Sequence, residues 1–432
     1  MARKMKDSGI PWVGKIPEDW EVTRLKYLYS ICPSLNITRD NLTETGCPVL
    51  SYGQIHSKKN SGYQINLDLV KYVPTIYTSP KALASKGDFL FADTSEDLEG
   101  CGNCIYVDSD FSVYAGAHVL FAKRRISSKE NGRYLAFLFL SDAWRKQLRE
   151  SVAGVKVYSV KKSMLSNAHI LLPPLSEQAR IAEYLDKTVG RIDGLREKIS
   201  REIERLGDYK KSMISEAVCR GLDKTAKMKD SGIPWVGKIP EDWEVTRNKY
   251  VMRKSKQICD VWAGQPVMSL SMKGVIARDL DNPSGKMPAT FDGYQFVNRG
   301  DLLMCLFDLD VTPRCVGRVE SDGVTSPAYS RYRLFHRANR SYVYYYYLMM
   351  DNSKELVHLA KSCRHAMPDE EFRKLSMILP PLPEQRRIAE YIDKQVARID
   401  ALVEKRKEEL ERLEALKRSI ICECVTGKRE VA

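Results

Sequence analysis

Cys101 and Cys104 stand at the CxxC spacing that can hold a zinc ion or cycle as a dithiol. No second pair lies at the distance a four-ligand zinc site needs. The other cysteines among the eleven are scattered, and an odd count of isolated thiols reads as reduced cysteines of a cytoplasmic protein. The six histidines, at 56, 118, 169, 336, 358 and 365, show neither HExxH nor any other paired-ligand spacing. The run PDEEFRK at 368–374 has the carboxylates of a nuclease, but too close in sequence to sit on separate strands, and it reads as a charged turn. Every Gly-Lys pair is followed by Ile, Met or Arg, so there is no GxxxxGK[ST] phosphate loop. Nor is there an Asn-Pro-Pro-aromatic run of the kind amino-methyltransferases use. The residues therefore predict a chain with no catalytic group, no metal and no cofactor of its own.

What remains is chemistry for grasping a polyanion. Lys and Arg total 69 against 56 Asp and Glu, a formal net charge of +13. That sign favours nucleic acid, although charge alone fits a basic-surfaced soluble protein as well. In the first part of the chain Tyr52, Gln54, His56, Lys58, Lys59 and Asn60 leave an apolar run into a polar loop, and Lys156, Tyr158, Lys161 and Lys162 form a second cluster. Lys361, Arg364 and His365 occupy the matching loop of the later part, where Arg314, Arg331 and Arg333 are further candidates. Gln54 and Asn60 have the paired donor and acceptor that adenine edges need, and the lysines suit phosphates or guanine. Any one of these reads equally as a solvated surface charge. As a set they flank the same elements twice.

Those elements follow from two internal repeats. Lys4–Arg24, KMKDSGIPWVGKIPEDWEVTR, recurs residue for residue at Lys227–Arg247. LPPLSEQARIAEYLDKTVGRID opens at Leu172, and LPPLPEQRRIAEYIDKQVARID at Leu379. The chain thus alternates variable and shared blocks, with expected boundaries 1–168, 169–224, 225–375 and 376–432. Two copies are too few for a solenoid, and two related halves about an internal pseudo-two-fold axis are the alternative. Each shared block predicts a long helix. Pro173 and Pro174 cannot continue an earlier helix, Ser176 reads as the N-cap, and no proline occurs from Glu177 to Cys219. Ile181, Leu185, Thr188, Ile192, Leu195, Ile199, Leu206, Tyr209 and Met213 give a 4–3 seam interrupted at Glu202. Ile388, Ile392, Val396, Ile399, Leu402, Leu410, Leu413, Leu416 and Ile420 repeat it. Such a helix, ~65 Å long at 1.5 Å per residue, cannot bury its stripe alone. Antiparallel pairing of the two copies is expected, the alternative being two helices each packed on its own neighbour.

The variable blocks read as mixed α/β domains with the same order of elements. Strands are predicted at 48–55, 87–93, 104–107 and 118–123, then a helix from Arg133 to about Val152. In the second block they fall at 266–272, 300–307, 315–319 and 331–335, then a helix from Tyr342 to about Ala360. A Gly-Asp pair opens one strand in each, at Gly87–Asp88 and Gly300–Asp301. No apolar run reaches the ~20 residues of a membrane helix, and no signal-peptide core is expected at the N-terminus.

SGIPWVGKIPEDWEV opening each half and LPPLxEQxxIAEYxD closing each variable block resemble the specificity subunits of Type I restriction–modification systems. The resemblance covers nearly the whole chain in the right order, and the one departure is the unusual perfection of the 21-residue repeat. It implies two target recognition domains, at 1–168 and 225–375, each reading one half of a bipartite site on double-stranded DNA. It implies two helical spacers, at 169–224 and 376–432, that set the distance between half-sites and bind two methyltransferase subunits, with restriction subunits joining them. Glu177, Gln178, Arg180, Glu384, Gln385 and Arg387 are the implied subunit-binding residues. S-adenosylmethionine, ATP and Mg²⁺ belong to those partners. A coiled-coil scaffold that binds only proteins is the rival reading.

Overall fold

In a computed structural model, which describes residues 3–152, 157–282, 288–360 and 365–431, the two repeat motifs of each half are zipped together. Strand Glu21–Arg24, the end of the first motif, pairs antiparallel with His169–Leu172, the start of the second. Glu244–Arg247 pairs with Ser376–Leu379 in the same way. Motifs far apart in sequence thus share one ladder, which explains why they occur together in each half. The chain divides into two units, one of Met1–Ile199 with Glu408–Ala432, the other of Ser200–Lys407.

The first unit opens with a small hairpin, Met5–Asp7 against Lys15–Pro17. Its turn needs left-handed backbone at Gly9 and Gly14 (φ 72° and 71°), which only glycine adopts without strain. One four-stranded antiparallel sheet runs in the order Cys104–Tyr106, Phe89–Ala92, Val119–Arg124, Tyr29–Cys32. A second runs Lys71–Val73, Cys47–Leu50, Val113–Ala115, Leu83–Ala84, with the middle pair parallel. The predicted strand at 48–55 stops at Leu50, and Tyr52–Ile55 forms a helical turn instead. The single helix predicted from Arg133 is two, Gly132–Leu140 and Asp142–Ser151. Ser141 makes the break. Its hydroxyl donates to Leu138 O at 2.6 Å, closing one helix, and accepts from Trp144 N–H at 3.2 Å, opening the next. The core gathers Trp20, Phe89, Phe91, Tyr134, Phe137, Phe139 and Trp144 with Ile181, Leu185, Val189 and Ile192 of the first long helix and Ile420, Ile421, Cys424 and Val425 of the second.

The second unit repeats the plan. Its hairpin is Met228–Asp230 against Lys238–Pro240. A four-stranded antiparallel sheet runs Met252–Lys254, Ser330–Leu334, Leu302–Met304, Val316–Arg318. A five-stranded sheet runs Ile258–Cys259, Tyr294–Val297, Gly323–Thr325, Val267–Ser271, Gly274–Ala277. Helices Arg340–Asn352 and Glu355–Leu359 follow. The PDEEFRK run, expected as a turn, is a short helix over Asp369–Lys374 with its three carboxylates in the first turn. There they complement the helix dipole, and Asp369 also accepts from Tyr332 Oη at 2.9 Å.

The two long helices are Leu175–Arg220 and Leu382–Val425, of 46 and 44 residues. The first starts one residue ahead of the expected cap. Pro174 O accepts from the N–H groups of Glu177 and Gln178, and Ser176 lies inside the first turn. The helices pair antiparallel. In the first unit Lys417 reaches Asp193 at 2.8 Å and Arg196 reaches Glu414 at 2.9 Å. In the second Arg406 meets Glu202 at 3.0 Å and Lys210 meets Asp400 at 2.6 Å. Ile181, Leu185, Ile192, Ile199 and Met213 of the predicted seam are buried. Val189 takes the place expected of Thr188, while Leu195, Tyr209, Leu402 and Leu416 are exposed. Charged pairs hold the helices together where the apolar seam thins.

Candidate nucleic-acid interface

Each α/β domain is fastened to its long helix by polar residues of the shared motif. Gln178 accepts from Asn131 N–H at 2.8 Å and donates to Pro173 O at 2.9 Å. Gln385 accepts from Asn339 N–H at 2.7 Å and donates to Arg337 O and Pro380 O at 3.0 and 2.7 Å. Asn131 and Asn339 are the N-caps of the helices Gly132–Leu140 and Arg340–Asn352. One glutamine therefore joins two helix starts, satisfying a backbone donor that burial would otherwise strand. Asp186 and its counterpart Asp393 are a second fastening. Arg133 Nε meets Asp186 at 2.6 Å, and Arg318 meets Asp393 at 2.9 Å. Of the residues implied to bind other subunits, Gln178, Gln385 and Glu177 are buried within their own units, which corrects the expectation that they face a partner. Glu177 is held by Arg3 and Trp20. Arg180 and Arg387 are exposed, and Glu384 is mostly covered.

In the first unit the polar residues of the loop after Leu50 turn inward. Gln54 Oε1 accepts from Ser51 N–H at 3.0 Å, the return arm of a capping box. Asn60 donates to Ile55 O and Cys104 O and accepts from Gly62 N–H. Asn103 Nδ2 lies 3.0 Å from His56 Nδ1, and His56 Nε2 lies 2.7 Å from Thr94 O. An amide N–H can only donate, so Nδ1 accepts and Nε2–H faces the carbonyl. Gln54, His56 and Asn60 hold the loop, a different role from pairing with base edges. Lys58 and Lys59 point outward, and Tyr52 packs edge-on to His118 at 5.4 Å. His118 itself sits in left-handed backbone (φ 56°), 3.3 Å from Asp93.

One short strand gathers these groups. Thr94–Ser95 pairs with Tyr158–Ser159, while Thr94 O holds His56. The loop at 52–60 and the cluster at 158–162 thereby become neighbours. Lys161 and Lys162 follow Ser159 and are exposed. Two residues give no periodicity, so the sequence alone does not predict this strand; the polar run DTSED after a strongly apolar strand is its one signal. Lys156 lies outside the described residues, as do Lys361 and Arg364.

The second unit presents its basic residues differently. Arg331 is fully buried. Its guanidinium pairs with Asp301 and donates to Phe296 O at 2.8 Å and to Asn298. This corrects its place among DNA-contact candidates, since the side chain faces the core. Arg314 is largely covered and reaches Asp351 and Asn352, each at 3.4 Å. Arg333 remains half-exposed beside Asn298. His365, in left-handed backbone (φ 45°), accepts from Leu309 N–H through its carbonyl, which ties it to the loop before Arg314.

The cysteines and histidines form no metal-binding group among the described residues. Cys101 and Cys104 are both buried free thiols, and burial pushes the Cys104 thiol up to about 12, far from a reactive thiolate at neutral pH. No helix among the described residues is long and apolar enough to cross a membrane.

Two mixed α/β domains, each fastened by matching glutamine and aspartate residues to an antiparallel pair of long helices, define a class of two-domain, helix-spaced proteins. Residues 17–205 and 324–412 match the family described as Type I restriction modification DNA specificity domain. The type I restriction enzyme MjaVIII specificity subunit of Methanocaldococcus jannaschii is 24% identical over 445 residues, covering 96% of this chain and 94% of that protein. The EcoKI specificity subunit of Escherichia coli is 20% identical over 448 residues, covering 96% and 90%. A chain in a solved structure described as the structural basis of complex assembly and conformational transition of the type I R-M system superposes with a TM-score of 0.69 at 18% identity, covering 96% of this chain and 99% of that one. The chain belongs to the Type I restriction–modification DNA specificity family. It is the specificity subunit of such a system, the non-catalytic recognition component that binds DNA and assembles with the other subunits.

Proposed function

We propose that each α/β domain reads one half of a bipartite site on double-stranded DNA. The first domain uses the surface beside the strand Thr94–Ser95, where the loop that carries Lys58 and Lys59 and the segment that carries Lys161 and Lys162 are brought together. Two basic clusters a hundred residues apart in sequence become neighbours through that strand, and this is the observation that carries the reading. In the second domain the surface lies around Arg333 and the loop holding His365. The long helices bind two methyltransferase subunits through exposed residues such as Arg180 and Arg387, and restriction subunits join the assembly in the cytoplasm. S-adenosylmethionine, ATP and Mg²⁺ serve the partner subunits.

Replacing residues 25–165 with the matching block of a relative tests the division of labour. Methylome sequencing of a strain carrying the chimaera is expected to show one half of the methylated motif changed and the other kept. A change in both halves refutes the modular reading. Alanine at Lys58, Lys59, Lys161 and Lys162 together tests the placement. Each lost phosphate contact lowers the steepness of log K against log salt by about 0.9. An assembled complex whose affinity and salt dependence are both unchanged would put the first domain's DNA face elsewhere.

A further inference from the structure

The perfect repeat begins one residue too late to include an arginine. Arg3 precedes Lys4 in the first copy, and Ala226 precedes Lys227 in the second. In the first unit Arg3 fills a site built by both shared motifs. Its guanidinium binds both oxygens of Glu177, at 2.6 and 2.7 Å, and reaches Asp19 at 3.0 Å. It also lies 5.8 Å from the ring centre of Trp20. Glu177 Oε2 also accepts Trp20 Nε1–H, at 3.2 Å.

Every acceptor of that site recurs in the second unit: Asp242 for Asp19, Trp243 for Trp20, Glu384 for Glu177. The cation does not. A cleft of about 330 Å³ opens there, lined by Ala226, Asp242, Trp243 and Glu384, with Arg220 and Arg387 also on its wall. Trp243 is 1% exposed, and its Nε1–H has no acceptor. Glu384 has turned to Arg387 at a single 3.3 Å contact. That contact joins neighbours on one helix and leaves the indole unsatisfied. A buried donor without a partner is costly, and here the missing acceptor is the carboxylate that an arginine holds in place in the other unit.

We infer that this cleft in the second unit is a guanidinium-binding site, completed by an arginine side chain that a partner polypeptide inserts between Glu384, Asp242 and the Trp243 ring. Binding draws Glu384 off Arg387 and back over Trp243 Nε1–H, reproducing the arrangement around Arg3. The planar fork of a guanidinium engages both carboxylate oxygens at once, which an ammonium cannot do. The occupant comes from another chain because this one has alanine where its first copy has arginine, and because specificity subunits work in assemblies.

The test uses the full chain labelled with 5-fluorotryptophan, with the Trp243 and Trp20 fluorine resonances assigned by Trp→Phe variants. Titration with N-acetyl-arginine N-methylamide is expected to shift Trp243 saturably and leave Trp20 still. The matching lysine derivative should respond at least about tenfold more weakly, and free arginine should bind more weakly than the blocked, peptide-like form. Ala226→Arg should shift Trp243 without any probe and abolish the response, and Glu384→Gln should abolish it too. A missing or non-saturable shift, an equal response to lysine, or a response that survives Ala226→Arg overturns the site. Tighter binding of free arginine than of the blocked form overturns its assignment to a polypeptide partner.

Discussion

The two strands that open with Gly-Asp occupy the same place in their sheets and face different cores. In the first unit Leu90 pairs across the ladder with Phe121; in the second, at the equivalent position, Leu303 pairs with Arg331. Asp88 is held without a counter-charge, accepting from Ser85 N–H at 2.9 Å, from Arg124 N–H at 2.8 Å and, more weakly, from the Ser85 hydroxyl at 3.5 Å. Asp301 accepts from Asn298 N–H at 2.7 Å and then pairs with Arg331, which in turn binds Phe296 O and Asn298. One sheet is thus closed by an aromatic ring and the other by a buried ionic network. The comparison teaches that an arginine in a sequence has no direction until packing gives it one. A basic surplus overstates the charge available to DNA wherever part of it is neutralised inside.

The strongest way to break the comparison is to make the second core resemble the first. Arg331→Phe leaves the buried Asp301 with only the half-exposed Arg333, at 3.6 Å, and strips Asn298 and Phe296 O of a donor. Removing one partner of a buried ion pair costs about 3–5 kcal/mol. The chemical denaturation midpoint of the second unit should fall accordingly while the first unit's stays in place. A loss below about 1 kcal/mol would mean that the network contributes no more than a surface pair.

The shared fastening should behave alike in both units, with a graded difference. Gln178→Leu and Gln385→Leu each strand the N–H of an N-cap asparagine, a penalty of about 1–3 kcal/mol for that donor alone. Gln385 also donates to two carbonyls where Gln178 donates to one. The second substitution is therefore expected to be the more damaging, by about 1 kcal/mol. Equal losses, measured by urea unfolding of the full chain, would mean that the extra bond to Arg337 O adds nothing.

Much of this was legible in advance. The repeats gave the division into two α/β halves and two long helices, because a proline pair followed by forty residues without proline leaves few other readings. The need to bury a stripe called for pairing, and the internal pseudo-two-fold symmetry suggested its direction. Side-chain roles were less legible. Gln54, Asn60 and His56 have the groups that read bases, yet the same groups satisfy the backbone of a tight loop, and sequence cannot tell the two apart. Gln178 and Gln385 were implied to meet a partner only by the family resemblance of the motif that carries them. Only the return of Asn131 and Asn339 against them, 47 and 46 residues away in sequence, reveals their function. Leu195 and Tyr209 fit the heptad count but fall outside it in space, since the seam gives way to ion pairs.

The smallest expected effect lies in pH. Burial raises the Asp88 carboxyl above its ordinary 3.8, more than the two backbone N–H groups, nearby Lys123 and the Ser85 hydroxyl lower it. A carboxyl whose folded value is raised binds its proton more tightly in the folded chain than in the unfolded one. Its charged form therefore opposes folding at neutral pH. As pH falls through the raised value toward 3.8, the proton is taken up first by the folded state, and that opposition disappears. Asp88 should thus make the first unit relatively more stable on acidification within that window. Other carboxylates titrate there too, so the quantity to follow is a difference. The unfolding free energy of the natural chain minus that of Asp88→Asn, measured by urea denaturation at steps of pH, should increase as pH falls and level off below 3.8. Asparagine can accept only one of the two N–H groups well, which adds an offset that does not depend on pH. A difference that stays flat across the window would mean that the hydrogen-bond donors and Lys123 fully offset the burial. A difference of opposite slope would mean that they outweigh it, making Asp88 a stabilising charge.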